Sequence, residues 1–169
     1  MLNIEIKAKT NNPEKAREFL KSRNARFAGV DFQKDTYFKV SNGRLKLREG
    51  NIEHALIYYE REPKAEPKQS NIILHKLSNT DTLKDILHKI FTVSVIVEKK
   101  REIYFIDNVK FHIDEVFPLG NFIEIEAIDE HETIGTDKLR AQCEDYMHAL
   151  GIAPDDLLTH SYSDMLKGK

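Results

Sequence analysis

Cationic side chains recur at every second position in three short segments of this sequence. In a β-strand, side chains at positions i and i+2 lie on the same face, so each segment places its cations together. Several facing Arg and Lys side chains suit a polyphosphate, because guanidinium groups form paired hydrogen bonds with phosphate oxygens. The candidate phosphate ligands are Lys7 and Lys9, then Arg44, Lys46 and Arg48, then Lys99 and Arg101, joined by Arg61 and Lys76 from two further segments.

Carboxylates follow the same alternation close to these cations. Oxygen ligands of this kind bind hard divalent cations, and Mg²⁺ or Mn²⁺ bridging to phosphate is the usual arrangement beside a polyphosphate. A metal that polarises phosphate oxygens, together with cations that spread the charge, provides most of what phosphoryl transfer requires. The candidate metal ligands are Glu5, Asp114, Glu124 and Glu126, and His112 is interpreted as a neighbour of the metal site rather than a base.

Alternating apolar and polar residues predict the strands that carry these side chains, and helical spacing of apolar residues predicts the helices. A turn at residues 41–43 joins two of the strands as a hairpin, and residues 63–70 have the composition of a loop. The predicted strands are 2–9, 27–31, 32–40, 44–48, 54–61, 71–76 and 92–97, with three more strand-like runs inside 98–126. The predicted helices begin at Asn12-Pro13 and cover 81–90, 137–150 and 154–166.

About eight antiparallel strands of this kind can close into a barrel, which makes an α+β fold with helices packed outside. One interpretation places all the charged side chains on the outer surface, in water, with the core inside. The helices argue against it, because they need an apolar surface to pack on. The apolar faces of the strands then point outward beneath the helices, and the charged faces point into the lumen. The outward set is Leu2, Ile4, Ile6, Leu45, Leu47, Ile123 and Ile125.

Length and composition fit one domain over residues 1–169. The net charge is −2 and the pI is near 6.4, whereas a general nucleic-acid binder is expected to be basic, so no nucleic-acid partner is predicted. The lone Cys143 indicates a reducing compartment and is interpreted as a core residue. No apolar run reaches the length of a membrane span and the start lacks a signal pattern, so we expect a cytoplasmic protein without a membrane partner.

At several points the sequence resembles the CYTH domain family, also known as the triphosphate tunnel metalloenzymes. The family opens with E-x-E-x-K, and this sequence has Asn3-Ile-Glu5-Ile-Lys7. Each further match is short, but the matches run in order over nearly the whole chain. They are DTYF at 35–38, RLKLRE at 44–49, YYER at 58–61, EKKREIY at 98–104, DEVFPLGNFIEIE at 114–126 and SYSDML at 161–166.

The resemblance implies an eight-stranded antiparallel barrel whose tunnel holds a triphosphate. It implies phosphate contacts from Lys7, Arg44, Lys46, Arg48, Arg61, Lys99 and Arg101, and Mg²⁺ or Mn²⁺ held by Glu5, Asp114, Glu124 and Glu126. Lys7, Lys99 and Arg101 are predicted to be catalytic. The departure from the family pattern is Asn3, which replaces the first motif Glu and brings a carbonyl oxygen without a charge.

The resemblance implies an enzyme, and the first interpretation is a class IV adenylate cyclase that converts ATP to cyclic AMP and pyrophosphate. The alternative is a triphosphatase that hydrolyses tripolyphosphate, thiamine triphosphate or a nucleoside triphosphate. A third hypothesis is a triphosphate-binding protein without turnover, with Asn3 as the lesion. A homodimer is expected because an eight-stranded tunnel leaves one flank free.

Overall fold

The computed structural model describes residues 1–61 and 67–168, which form eight strands, four α-helices and one short 3-10 helix at Pro154–Asp156. The strands are β1 (Leu2–Lys9), β2 (Arg26–Phe38), β3 (Arg44–Glu49), β4 (His54–Arg61), β5 (Lys68–Lys76), β6 (Val93–Ile106), β7 (Val109–Phe117) and β8 (Gly120–Asp129). The helices are α1 (Pro13–Ser22), α2 (Asp81–Ile90), α3 (Thr136–Ala149) and α4 (Tyr162–Lys167). The loop predicted at 63–70 lies partly outside the described residues, and its end, from Lys68, belongs to β5.

The eight strands close into a barrel in the order β1-β5-β4-β3-β2-β6-β7-β8, with β8 paired to β1. All neighbouring strands are antiparallel. The segments predicted separately at 27–31 and 32–40 are one long strand, β2, which pairs with β6 through a bulge near Gly29. Closure removes the free sheet edges and gives every strand an inner and an outer face, as the sequence predicts.

The main apolar core lies between the barrel wall and the helices α1 and α3. Ala16 and Leu20 of α1, with Leu139 and Cys143 of α3, pack on the outer faces of β1, β7 and β8. The helix α2 covers Leu47 of β3 in a smaller cluster. Every strand residue predicted to point outward lies in or against one of these clusters, which confirms that the charged faces point into the lumen.

The predicted helix at 154–166 is wrong in its first part, and only its end belongs to the helix α4 (Tyr162–Lys167). Its first part is the 3-10 helix, after which Leu157 forms a β-bridge to Ala8 and the Leu158 N–H donates to the Lys7 carbonyl at 2.9 Å. Ser161 then caps α4 by accepting from the Asp164 N–H. The apolar residues in this segment resemble a helical stripe, but the first two are used to attach the chain to β1.

The outer face of β2 and β7 carries two large exposed aromatic side chains, Phe32 and Phe117, which are 65% and 80% exposed. A surface groove of about 690 Å³ runs between them. The homodimer remains a prediction. None of the helices within the described ranges is long and apolar enough to cross a membrane.

Candidate active site

A cavity of about 590 Å³ occupies the barrel lumen. Its walls are strongly charged: among the described residues, eight cationic and five acidic side chains line it. The cationic residues are Lys7, Lys46, Arg48, Arg61, Lys76, Lys99, Arg101 and Lys110, and the acidic ones are Glu5, Glu53, Glu124, Glu126 and Glu130. Such a surplus of buried positive charge is suited to an anionic ligand.

One group of cations converges on a single carboxylate, Asp35, which is 1% exposed. Arg48 donates two hydrogen bonds to it, at 2.8 and 2.7 Å, and Lys46 and Lys99 donate at 3.1 and 3.0 Å. Burial alone would raise the pKa of Asp35, but these three cations hold it well below its usual range. Asp35 stands inside the DTYF motif, yet its role as shared counter-ion was missed by the sequence analysis.

Among the three cations around Asp35, Lys99 is the one whose charged form is disfavoured by its surroundings. Burial first, and then the nearby Arg101, Arg48 and Lys46, lower its pKa from 10.5 to about 7, against the opposing pull of Asp35. One carboxylate therefore does not compensate three cations. A bound anion would supply the missing negative charge and favour the protonated amine.

A second group of ion pairs lies across the lumen. Arg61 contacts Glu5 at 2.6 Å, and Lys7 contacts Glu124 at 3.2 Å. Arg101 donates to both oxygens of Asp114, at 2.7 and 2.6 Å, and lies 3.3 Å from Glu124. The predicted catalytic residues Lys7, Lys99 and Arg101 thus all lie in the lumen, and each is held in place by a carboxylate.

Three side chains form a candidate metal cluster: His112, Glu124 and Glu126 each place a ligand atom within 4.8 Å of the others. The other two predicted metal ligands are not part of it. Glu5 is paired with Arg61. Asp114 faces the lumen but is covered there, because it accepts hydrogen bonds from Arg101 and, at 2.7 Å, from the Tyr162 hydroxyl. Carboxylates that share one alternation pattern therefore have different surroundings: Glu5 and Asp114 lie in ion pairs outside the cluster, whereas Glu124 belongs to the cluster and is also paired with Lys7.

Unpartnered polar atoms show that this cluster fits a cation. Within the described part of the chain, both ring nitrogens of His112 and the Oδ1 atom of Asn3 are buried without a hydrogen-bond partner. The Asn3 amide donates to Glu126, so Asn3 takes the lumen position that the family motif gives to Glu. Buried polar atoms are rarely left unpaired in native proteins, and these donors suit a divalent metal such as Mg²⁺ or Mn²⁺.

The surrounding charges set the protonation of this cluster. Burial, helped by Arg101, lowers the pKa of His112 to about 4, so the imidazole is neutral at pH 7. Burial opposes the ionisation of Glu124, but Lys7 and Arg101 hold its pKa well below the usual range. Glu126 has less help, and burial raises its pKa. A bound cation would therefore find His112 and Glu124 already in their basic forms, and it would oppose the rise in the pKa of Glu126.

Three predicted phosphate ligands have other surroundings. Lys9 is exposed at the end of β1 and does not line the cavity. Arg44 also lies outside it, because the guanidinium is bound by Asp164 at 2.8 Å and by Ser163 at 3.1 Å. Lys76 does line the cavity, but its side chain is exposed at the mouth. Alternation places all three on the inner face without showing how deep each lies along the barrel.

The segment before α4 closes one end of the lumen. Tyr162 binds Asp114 from inside the barrel, and the Lys7 ammonium lies 4.1 Å from the centre of its ring. Lys68, which was not predicted, donates to the carbonyls of Leu158 and Thr159 at 3.1 and 2.7 Å. Burial lowers the pKa of Lys68 to about 8. The closing motif SYSDML thus forms the floor of the cavity.

The opposite end of the cavity is open, and its rim carries apolar side chains beside the charged Lys76 and Glu130. The apolar side chains belong to inward-facing residues near the other ends of the strands: Met1, Ile72, Leu74, Phe105 and Ile128. Sequence reasoning missed this rim, although period-2 alternation puts these residues on the same faces as the charged ones. A ligand with a charged end and an apolar, planar end matches this lining.

A barrel whose lumen carries facing cations and a carboxylate-rich cation site defines a class of metal-dependent, triphosphate-binding proteins. Residues 1–162 match the CYTH domain, and the chain belongs to the CYTH family, in which a triphosphate is bound in the tunnel with a divalent metal.

Proteins of known sequence or structure match this chain over nearly its whole length. The chain is 28% identical over 177 residues to a Methanocaldococcus jannaschii protein named "Putative adenylate cyclase", with 98% of both chains covered. Its fold matches the PH1012 protein of Pyrococcus horikoshii OT3 with a TM-score of 0.83 and 24% identity, covering 96% of this chain and 98% of that one. It also matches HpAC1 from Hippeastrum, a "Putative adenylyl cyclase" with a dominant triphosphatase activity. The TM-score of this match is 0.64 and the identity is 12%, with 98% of this chain and 93% of that one covered.

Proposed function

We propose that this protein is a divalent-metal-dependent enzyme acting on ATP, in the manner of a class IV adenylate cyclase. The observation that carries this proposal is the lining of the lumen, which is rich in cations inside and has apolar side chains, including the ring of Phe105, near its open end. A triphosphate fits the floor, and an adenosine fits the rim near Phe105. Tripolyphosphate or another small anion would leave the rim unused.

The cations on the lumen wall would bind the triphosphate. Lys46, Arg48 and Lys99 are already oriented toward one point by Asp35, so little side-chain entropy is lost when phosphate oxygens join them. Lys7 and Arg101 extend the set toward the floor. In cyclisation, the ribose 3′-hydroxyl loses its proton to solvent and its oxygen bonds to the α-phosphorus. The bond from that phosphorus to the bridging oxygen of the β-phosphate breaks, and pyrophosphate leaves. Fixed cations stabilise the negative charge that moves onto pyrophosphate.

Glu124 and Glu126, with Asn3 and His112 beside them, would hold Mg²⁺ or Mn²⁺. When bound, such an ion polarises phosphate oxygens and offsets their charge. Asp114 takes up most of the pairing with Arg101, so Lys7 at 3.2 Å is the nearest cation to Glu124, and a metal ion would compete with Lys7 for this carboxylate.

Hydrolysis is the second candidate. The fold relative from Hippeastrum has a dominant triphosphatase activity, and a lumen of this kind supports either reaction. The outcome depends on which phosphorus faces the nucleophile: water at the terminal phosphorus releases orthophosphate. In that reaction the closed floor would hold the end of the triphosphate that is cleaved.

The test is to incubate the purified protein separately with ATP and with tripolyphosphate, each with Mg²⁺ or Mn²⁺, and to resolve the products by chromatography. Cyclic AMP with pyrophosphate is the expected result from ATP. Orthophosphate from either substrate would replace the cyclase by the triphosphatase. Tight binding measured by calorimetry without any product would leave a triphosphate-binding protein.

A matched pair of variants checks that the lumen is the site. Lys99→Ala combined with Arg101→Ala should abolish triphosphate binding and turnover, because both side chains line the cavity. Lys100→Ala is the control, since Lys100 lies between them on the same strand but is exposed on the outer face. Equal loss in the control, or unchanged affinity in the double variant, would contradict the tunnel assignment.

A further inference from the structure

The geometry points to His112 as a nitrogen ligand of the metal, which makes the site favour a first-row transition ion over Mg²⁺. This inference rests on the proposed function in one respect, namely that the cluster at Glu124 and Glu126 is the metal site. From the sequence alone, His112 was predicted to be a neighbour of the metal site and not a ligand.

The first support is the position of the ring. His112 is 1% exposed, and its Nδ1 atom lies 3.4 Å from Glu124 Oε1. In the cluster of His112, Glu124 and Glu126, one ligand atom of each residue lies within 4.8 Å of the others. Metal–ligand distances near 2 Å place ligands roughly 3–4 Å apart, so small side-chain rotations would bring these atoms around a single cation.

The second support is that, among the described residues, the imidazole lies within ion-pair distance of Glu124, which is itself a proposed ligand, and makes no hydrogen bond. Neither ring nitrogen has a hydrogen-bond partner, although both are buried. Leaving such a group unpaired is unfavourable, and an apolar side chain would fill the same space without that penalty. A ring kept in this position is explained if one of its nitrogens binds an ion.

The donor set then decides the kind of ion. Asn3 replaces the first motif carboxylate, so the cluster has two carboxylates and two neutral side chains instead of three carboxylates. Mg²⁺ prefers oxygen ligands and near-ideal octahedral geometry, whereas imidazole favours transition ions. Exchanging a carboxylate for a neutral oxygen and adding a nitrogen ligand weakens Mg²⁺ binding more than the binding of Mn²⁺, Co²⁺ or Zn²⁺.

The experiment uses metal ions alone and needs no turnover. Mn²⁺ and Mg²⁺ are titrated into the full chain and into His112→Gln, with and without tripolyphosphate, and pulsed electron paramagnetic resonance records nitrogen coupling to bound Mn²⁺. We expect ¹⁴N coupling in the wild type, replaced by ¹⁵N coupling when the histidines are isotope-labelled. In His112→Gln the coupling should vanish, Mn²⁺ affinity should fall about tenfold or more, and Mg²⁺ affinity should change less than about threefold.

His88→Gln is the control, because His88 is exposed on α2, and it should keep the coupling. If His112→Gln does not fold, the spectrum of the labelled wild type still shows whether a histidine nitrogen binds Mn²⁺. Bound Mn²⁺ without nitrogen coupling would overturn the ligand assignment and leave the proposed function intact. Absence of Mn²⁺ binding under both conditions would overturn the assignment together with the metal dependence of the proposed function.

Discussion

Replacing Lys99 by Met should separate stability from function. Met keeps most of the side-chain length and volume but removes the amine. Lys99 is 6% exposed and shares Asp35 with two other cations, so its charge is poorly compensated before a triphosphate binds. We therefore expect Lys99→Met to bind the triphosphate more weakly while the free protein becomes more stable.

The magnitude follows from the pKa of Lys99, which is 10.5 ordinarily and about 7 in the folded protein. Each pH unit between these values is worth about 1.4 kcal/mol, so the amine costs about 4 kcal/mol of folding free energy at pH 7 and about 2 kcal/mol at pH 9. Between pH 7 and 10.5 the unfolded chain binds more protons than the folded one. The free energy of unfolding therefore rises with pH, and Lys99 contributes about 2 kcal/mol of that rise from pH 7 to pH 9.

Thermal and urea unfolding at pH 7 and pH 9, without ligand, measure this effect. The difference between wild type and Lys99→Met should shrink by about 2 kcal/mol, or roughly 4–8 °C in Tm, at the higher pH. At pH 7 the variant should be about 1–3 kcal/mol more stable, because the lost hydrogen bond to Asp35 offsets part of the gain. Tripolyphosphate affinity should fall about 10- to 100-fold by calorimetry.

The exposed Lys100→Met should show neither effect. The reasoning is refuted if Lys99→Met has the same pH dependence of stability as the wild type, since Lys99 would then not be the group with the lowered pKa. It is also refuted if the variant binds tripolyphosphate with unchanged affinity.

Three further changes test the rest of the site. Glu124→Gln with Glu126→Gln should weaken Mn²⁺ binding in calorimetry by at least about tenfold, because both proposed carboxylate ligands lose their charge; a smaller loss would place the metal elsewhere. Asn3→Glu should raise Mn²⁺ affinity and turnover by about tenfold, because it adds a third carboxylate beside Glu126; equal activity would show that the family's first Glu is dispensable here. Arg44→Ala should loosen α4, seen as faster amide exchange near Asp164, and leave triphosphate affinity within about twofold, since Arg44 binds Asp164 instead of facing the cavity. A large loss of affinity would support the original prediction that Arg44 is a phosphate ligand.

The barrel could be predicted because alternation is a local property. Each strand shows in its own residues which side chains share a face, as in Leu2–Lys9, and the helices require the apolar faces to point outward. The start of the helix α1 could also be predicted, since Asn12 caps the helix and Pro13 is its first residue. The first part of the segment at 154–166 was wrongly predicted to be helical, because the spacing of its apolar residues is the same in a helix and in a chain attached to β1.

The sequence by itself determined the faces: which side chains look into the lumen, that they are mostly cations and carboxylates, and that the chain closes as a CYTH barrel. Only the tertiary structure decided their partners and their depth. Asp114 and Glu124 alternate alike, yet cross-strand register gives Asp114 to Arg101 and leaves Glu124 beside His112. Lys99 and Arg44 alternate alike too, but one lies mid-barrel beside Asp35 and the other reaches α4. Periodicity fixes a direction around each strand, whereas register and barrel closure fix neighbours in space, and the neighbours set charge, protonation and ligand.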